Sequence, residues 1–326
     1  MNNTKVIIFH SPLADNAPAD ELDVLEQAAY FSKGLKDLGY EPEIISFSYN
    51  LLELKKIVEK AKPLFVVNLT ETLFGDGRLV HVGPFLFDHM DVPYTGCTAH
   101  SIYLSSHKVL AKQHLLAHNI ATPTFFTWQT LRAAEDTLIN KPFIVKSLWE
   151  HASYGLDESK QLLFSTRKEL INRLGTETRP EAFFCEEYIH GREFNLSILD
   201  SPTGPQVLPP AEIRFTYPED KPRILGYKAK WDEESFEYKN TIRSFDFSDH
   251  DNQIISDLEK TALQCWKIFD LKGYARVDFR VDEQGNIFVL EINANPCISP
   301  DSGFVAAATM AGLNNCDVVR RIIPEI

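Results

Sequence analysis

The stretch "ARVDFRVDEQGNIFVLEINANPCISPDSG" (275–303) gathers the side chains best able to do chemistry together: Arg276, Asp278, Glu291 and Asn293. Strand residues alternate faces, so Arg276 and Asp278 share one face while Ala275, Val277 and Phe279 take the other. Glu291 and Asn293 share a face in the same way. A two-residue turn at Gln284-Gly285 pairs Glu283 with Asn286, and carrying that register back sets Asp278 opposite Glu291 and Arg276 opposite Asn293. Two facing carboxylates repel if buried without a cation. Oxygens from Asp, Glu and Asn are, by contrast, the hard ligands that Mg²⁺ selects, with substrate phosphates filling the rest of the shell. The competing reading is a solvated face of a hairpin. It suits a lone acid better than four converging polar groups set between apolar neighbours.

Such residues need a scaffold. "KVIIFH" (5–10) fits a buried strand, and "ELDVLEQAAYFSKGLKDLGY" follows with helical spacing at Leu22, Leu25, Ala28, Ala29, Leu35 and Leu38, with Gly39 as its stop. "EPEIISF", "LLELKKIVEKA" and "PLFVVNL" repeat strand, helix, strand, the pattern of a parallel sheet with crossover helices, so the first hundred residues read as one α/β unit. Ser105 or Ser106 then caps a helix running to about Asn119, and "ATPTFFTW" and "KPFIVKSLWE" read as strands. "AFFCEEYIHGREFNLSIL" is two strand-like runs around "HG", as the C-terminal stretch is around "QG". Hairpins therefore dominate, and the second half reads as α+β and largely antiparallel. The polar segment "EYKNTIRSFDFSDHDN" (237–252) reads as a mobile loop.

Composition narrows the function classes. The chain has 326 residues, 44% hydrophobic, enough for two or three structural units. Lys plus Arg number 33 against 46 Asp plus Glu, and the net charge of -13 has no basic block to offset it, which argues against a nucleic-acid partner. Five cysteines (Cys97, Cys185, Cys265, Cys297, Cys316) without a C-x-x-C pair indicate neither a disulfide framework nor a zinc cage and favour a reducing compartment. The apolar run before His10 is too short for a signal-peptide core and no later segment approaches a membrane span, so no membrane association and a cytoplasmic location are expected.

The C-terminal stretch resembles the signature of the ATP-grasp carboxylate-amine ligases, and within them the D-alanine-D-alanine ligase family. The resemblance continues through "VPYTGCTAHSIYLSSHKVLAKQHLLAHNIATP", "PFIVKSLWEHASYGLD", "CEEYIHGREFNLSIL" and "PPAEIRF", covering about residues 60–320 in order. It implies an ATP-grasp fold, α/β plus α+β, in three domains: an N-terminal Rossmann-like unit (1–104), a small middle domain (105–186) and a C-terminal domain with an antiparallel sheet (187–326). It implies ATP with Mg²⁺, or Mn²⁺ in its place, small amino-acid-like substrates and a homodimer.

Carried over residue by residue, the resemblance gives Lys108, Lys146 and Ser153 to the ATP phosphates, Glu186 to the adenine amino group and Glu193 to the ribose hydroxyls. Lys108 also reads as a solvated helix lysine, whereas Lys146 ends the apolar run "FIVK", where an unpaired lysine is costly. Lys230 matches a lysine closing over the γ-phosphate, Arg276 the support of the tetrahedral intermediate, Ser302 the ligand of the second substrate's carboxylate, and Asp278, Glu291 and Asn293 the metal ligands. The implied chemistry is attack of a carboxylate on the γ-phosphoryl group and then of an amine on the acyl phosphate. Arg276 and a backbone N–H near Cys297 serve the oxyanion, and the Cys297 thiol is not a nucleophile. A non-catalytic nucleotide-binding protein would have lost metal ligands or the arginine, and both are kept.

Departures cluster on the substrate side. "HSPLADNAPADELD" lacks the glycine-rich turn of the family, leaving Asp20, Glu21 and Asp23 as candidates for the first substrate's ammonium, although a helix N-terminus favours acids by its dipole alone. Ala152 and Trp231 stand where a serine and a tyrosine lock the family's loops, and neither completes that lock. His151, where a glycine is usual, reads as an exposed loop residue. Gly303 replaces a bulky apolar residue after Ser302 and is expected to widen the pocket. These changes predict a first substrate other than D-alanine; D-alanine-D-alanine synthesis by a divergent paralogue is the alternative.

Overall fold

The structure, a computed structural model, describes residues 3–14, 16–149 and 161–325. Strands β1 (Lys5–His10), β2 (Glu41–Ser46) and β3 (Phe65–Leu69) form a parallel sheet in the order β2-β1-β3, joined through helices Ala19–Asp37 and Leu51–Ala61. The continuous apolar runs of β1 and β3 are buried on both faces, as a parallel sheet covered by crossovers requires. Gly39, at φ 88°, ends the first helix as its sequence predicts. That helix also ties the unit to the far end of the chain. A Cβ on Gly34 would lie 2.6 Å from Val319 of helix Asn315–Ile322, so only glycine lets the two helices meet.

Two antiparallel sheets follow. The first has the order β4 (Phe125–Thr127), β7 (Phe183–Glu187), β5 (Phe143–Ser147), β6 (Leu163–Phe164). The second has the order β11 (Thr241–Ser244), β10 (Ala211–Phe215), β8 (Gly191–Leu199), β12 (Tyr274–Asp282), β13 (Ile287–Asn293), with β9 (Gln206–Val207) on β8. The two runs around "HG" are thus not a hairpin: β7 lies in one sheet and β8 in the other. At the crossing, Gly191 has φ 144° and a Cβ there would lie 2.0 Å from the Val281 carbonyl oxygen, a backbone approach that only glycine permits.

Other expectations are corrected by local chemistry. The helix expected from Ser105 or Ser106 is two helices. Thr98 caps Ala99–Ser106 by accepting from the Ser101 N–H at 3.2 Å, and the His107 ring caps Lys108–Ala117 by accepting from the Leu110 N–H at 3.1 Å. The polar segment expected to be a mobile loop contains edge strand β11, hydrogen-bonded to β10 on one side only; exposure on the other side accounts for its polar sequence.

In the C-terminal hairpin the loop has three residues, not two. Asp282 N–H bonds to the Asn286 carbonyl at 3.0 Å, and Gly285 sits at φ 83°. The extra loop residue shifts the pairing, so that Phe279 faces Val289, and a β-bulge at Leu290 shifts it back, so that Asp278 faces Glu291 and Arg276 faces Asn293. Without the bulge Leu290 would oppose Asp278 and Glu291 would turn to the apolar side. The expected register therefore holds at the site through two departures that cancel.

Candidate active site

The β12–β13 face carries a paired charge cluster. Asp278 is buried. Its Oδ1 accepts from Arg276 Nε at 2.7 Å and Asn195 Nδ2 at 2.8 Å, and its Oδ2 from Arg276 Nη2 at 2.9 Å and Asn293 Nδ2 at 3.2 Å. Asn195 reaches it because β8 pairs with β12 in a register that sets Asn195 opposite Asp278. Burial works against the Arg276 charge, but Asp278 outweighs it, and the guanidinium's pKa is raised. Lys230, on the short helix Tyr227–Trp231, faces the same group: burial lowers its pKa, Glu291 partly offsets this and Arg276 adds to it. The donor set suits a hard cation. Asp278 and Glu291 face each other in register, and Asn293 uses its amide N–H on Asp278, leaving the amide oxygen for a ligand. Among the described residues no three His, Cys, Asp or Glu side chains gather around one point. Two carboxylates and one amide fit a metal that keeps water and phosphate in its shell rather than one caged by protein.

A second cluster lies where β5 and β7 meet the helix Lys108–Ala117. Glu186 is 2% exposed, and its two oxygens take Lys112 and Lys146, the latter at 2.7 Å. Burial would raise the Glu186 pKa, but the two ammonium groups outweigh it and hold the carboxyl below its ordinary range. For Lys146, likewise, burial is outweighed by Glu186 and the pKa is raised. Lys112 also donates to Thr122 Oγ1 at 2.8 Å and to the carbonyl of the bulged Leu290 at 3.2 Å, which links this cluster to the hairpin. Lys146, with 22% of its side chain exposed against 1% for Lys112, is the member open to solvent. Lys108 is buried too, so it is not the solvated helix lysine of the competing reading. Glu193 is buried on β8 and ion-paired with Arg280 Nη2 at 2.8 Å. Ser153, with His151, Ala152 and Gly155, lies outside the described residues, as does the Asp20 side chain.

At the C-terminal edge of the N-terminal sheet a third group forms, where open α/β sheets present their loops. Gln27 is buried, and its Nε2 donates to Asp23 Oδ2 and Glu71 Oε1, both at 3.0 Å, while its Oε1 accepts from the Ile298 N–H at 3.3 Å. Ser11 Oγ, at the end of β1, accepts from the N–H groups of Glu71 at 2.8 Å and Thr72 at 3.1 Å. Cys297 Sγ donates to Asp23 Oδ2 at 3.0 Å; burial, then the Asp23 charge, push its thiol pKa up, the reverse of what a nucleophile needs. Of the acids expected to face an ammonium, Asp23 joins this group and Glu21 is exposed. Ser302 caps helix Gly303–Met310 by accepting from the Val305 N–H at 3.2 Å. Gly303 does not simply widen the pocket, because the Arg243 guanidinium lies 3.7 Å from where its Cβ would be.

A family model described as the D-ala D-ala ligase C-terminus matches residues 121–324. The chain belongs to the D-alanine-D-alanine ligase family. It is a D-alanine-D-alanine ligase-like, ATP-dependent carboxylate-amine ligase of the ATP-grasp fold. An uncharacterised protein of Sinorhizobium fredii, y4sG, is 28% identical over 297 residues, covering 89% of this chain and 84% of its own. The D-alanine-D-alanine ligase of Aquifex aeolicus is 27% identical over 298 residues, covering 90% and 91%. In fold, the chain is similar to the D-alanine-D-alanine ligase of Bacillus anthracis crystallised with ATP (TM-score 0.72, 19% identity, 98% of this chain and 96% of that one). It is also similar to D-alanyl-alanine synthetase A of Vibrio cholerae (TM-score 0.71, 15% identity, 99% and 98%). No helix among the described residues is long and apolar enough to cross a membrane.

Sequence reasoning missed Lys112, Asn195, Arg280, Gln27, Glu71 and Arg243. Lys112 had a signal, being one turn after Lys108 on the same helix face. Glu71 follows the buried end of β3, and an acid at the edge of a parallel sheet is a site signal in itself. Asn195, Arg280 and Arg243 depend on pairings between strands distant in sequence, and Gln27, on the first helix, on its bonds to Glu71 and Ile298.

Proposed function

We propose that the protein uses ATP and Mg²⁺ to join two amino-acid-like substrates through an acyl phosphate, and that its first substrate is not D-alanine. The observation that carries the ligase half is the facing pair Asp278–Glu291, braced by Arg276, Asn195 and Asn293 and flanked by Lys230. Asp278, Glu291 and Asn293 would hold Mg²⁺, or Mn²⁺ on the same oxygen set, and the metal when bound supplies neutralising charge at the phosphates. Lys146, anchored by Glu186, and Lys230 bring cations to the phosphoryl group in transfer. The first substrate's carboxylate oxygen bonds to the γ-phosphorus and the bond to the bridging oxygen breaks, releasing ADP. The amine of the second substrate then attacks the acyl carbon, phosphate leaves and the amine gives up a proton. Arg276 offsets the developing oxyanion together with the Cys297 N–H, which has no acceptor among the described residues.

The substrate half rests on the sheet-edge group. Asp23 and Glu71, sharing Gln27, are carboxylates suited to a substrate ammonium, and Ser11 occupies the turn where the family has glycine. Trp231 places a buried indole N–H without an acceptor, among the described residues, on the helix that carries Lys230. That donor calls for an acceptor on the substrate or the closing loop. ADP release with Mg-ATP and pairs of D- and L-amino acids tests both halves. Release with no pair refutes the ligase reading. Release with D-alanine alone, better than with any other pair, refutes only the substrate reading.

A further inference from the structure

Beside Ser302 lies a guanidinium that the reaction above does not use. Arg243 lies on edge strand β11, in the segment whose polar sequence reads as a loop, and its side chain crosses to residues 301–303. Its Nη1 donates to the Asp301 carbonyl at 3.2 Å. A Cβ at Gly303 would lie 3.7 Å from Arg243 Nε, 3.7 Å from Nη2 and 3.8 Å from Cζ, so the guanidinium packs on the bare side of the residue next to Ser302. Contact at that distance accommodates a Cβ, while a longer side chain at 303 would compete with the guanidinium for the same space.

The charges around Arg243 are not balanced. Burial lowers its pKa and the Arg276 charge lowers it further, against partial relief from Asp301, Cys297 and Tyr238. Asp301 takes the Ser299 hydroxyl on its Oδ1 at 2.9 Å. No carboxylate among the described residues forms an ion pair with Arg243, whereas Arg276 has Asp278 on two of its nitrogens. A guanidinium stays charged at any working pH and matches a carboxylate with two parallel N–H donors.

Resting on the ligase reading, we propose that Arg243 binds a second carboxylate on the amine-donating substrate, beyond the one expected at Ser302, and that this substrate is an acidic amino acid or a small amine bearing two carboxylates. Gly303 makes room for the guanidinium, and Arg276, committed to Asp278, remains with the reacting carbonyl. The amine-donating substrate is thereby selected by charge rather than by an apolar contact.

The test is acceptor selectivity. ADP release is measured with Mg-ATP and whichever D- or L-amino acid serves as first substrate, with aspartate and glutamate compared against asparagine, glutamine and alanine as second substrate, in both enantiomers. The wild type should favour the acid over its amide by about tenfold or more in kcat/KM, through KM, as a charge-assisted contact implies. Arg243→Gln should collapse that ratio toward one, Arg243→Lys should keep part of it, and Gly303→Leu should collapse it without touching the arginine. Titration with an ATP analogue checks that each variant is folded. A wild type indifferent to the second carboxylate overturns the proposal. So does an Arg243→Gln variant that loses rate equally with all acceptors, since that is the mark of a residue that only fastens the 299–303 loop. If no pair releases ADP from the wild type, the ligase reading itself has failed and takes this proposal with it.

Discussion

On and beside the β12–β13 face, Asp278 is met by Arg276 and two amides and Glu186 by two lysines, whereas at the edge of the N-terminal sheet Asp23 and Glu71 share the neutral amide of Gln27. The first arrangement is complete before anything binds: each buried carboxylate has a cation, and the burial that would otherwise neutralise these groups is offset. The second is built on neutral groups at Asp23, which takes the Gln27 amide and the Cys297 thiol, and on a cation, Arg243, that forms an ion pair with no carboxylate among the described residues. A phosphate-transfer end handles the same polyanion in every turnover and can be balanced in advance. An end that discriminates amino acids leaves the balancing charge to the substrate.

That contrast predicts effects of graded size. The largest is expected for Glu291→Ala, which removes a proposed oxygen ligand facing Asp278 from a partly exposed strand position. Turnover should fall by about a thousandfold while the melting temperature moves by only about 3 °C. Unchanged turnover at limiting Mg²⁺ would break the metal assignment.

Next comes Glu186→Gln, which strands the buried Lys112 ammonium and removes the partner of Lys146, and should cost about 3 kcal/mol in denaturant unfolding. Its pH dependence has a definite sign. Because the folded-state pKa of Glu186 is depressed, the stability it contributes is present above the unfolded glutamate value of about 4.3 and is lost as pH falls through the folded value. The wild type should therefore lose stability on acidification more steeply than Glu186→Gln, and equal slopes would contradict the ion-pair account.

Smaller and more selective is Glu71→Gln. With one of two acids neutralised, KM for the first amino acid should rise by about tenfold with kcat little changed. A fall in kcat without a change in KM would move Glu71 from the ammonium site to the reacting centre. The smallest effect belongs to Cys297→Ser. A thiol with a raised pKa, hydrogen-bonded to Asp23, does not supply a nucleophile, so steady-state rates should stay within about threefold of wild type. Rapid inactivation by a thiol-alkylating reagent at neutral pH, traced to Cys297, would reverse that assignment.

How far the sequence could be read follows from the range of the interactions. The N-terminal sheet was legible because β1 and β3 are continuous buried runs separated by helical spacing, a local signal. The Asp278–Glu291 pair was legible because a hairpin brings nearby residues together, although its loop is one residue longer than a two-residue turn and the bulge at Leu290 absorbs the difference. The split between β7 and β8 was not, because the Gly191 crossing depends on the Val281 carbonyl of a strand far along the chain. Edge strand β11 was hidden by its own exposure: one paired side and one wet side give a polar sequence that resembles a loop. Asn195 and Arg280 enter only through the β8–β12 register, and Arg243 only through the β10–β11 pairing together with the missing side chain at Gly303. Legibility thus follows distance along the chain rather than the end of the site: Lys112 and Asn195 needed the structure at the balanced end, whereas Asp23 and Ser302 were candidates from sequence at the other.

Steady-state ADP release with Mg-ATP tests most directly whether a retained phosphoryl-transfer end is joined to a changed amino-acid end. D-alanine alone is measured against pairs drawn from the other D- and L-amino acids, and the ligated product is confirmed by mass. A pair other than two D-alanines should give the highest kcat/KM. Efficient turnover with D-alanine as the sole amino acid, unmatched by any other pair, would contradict it.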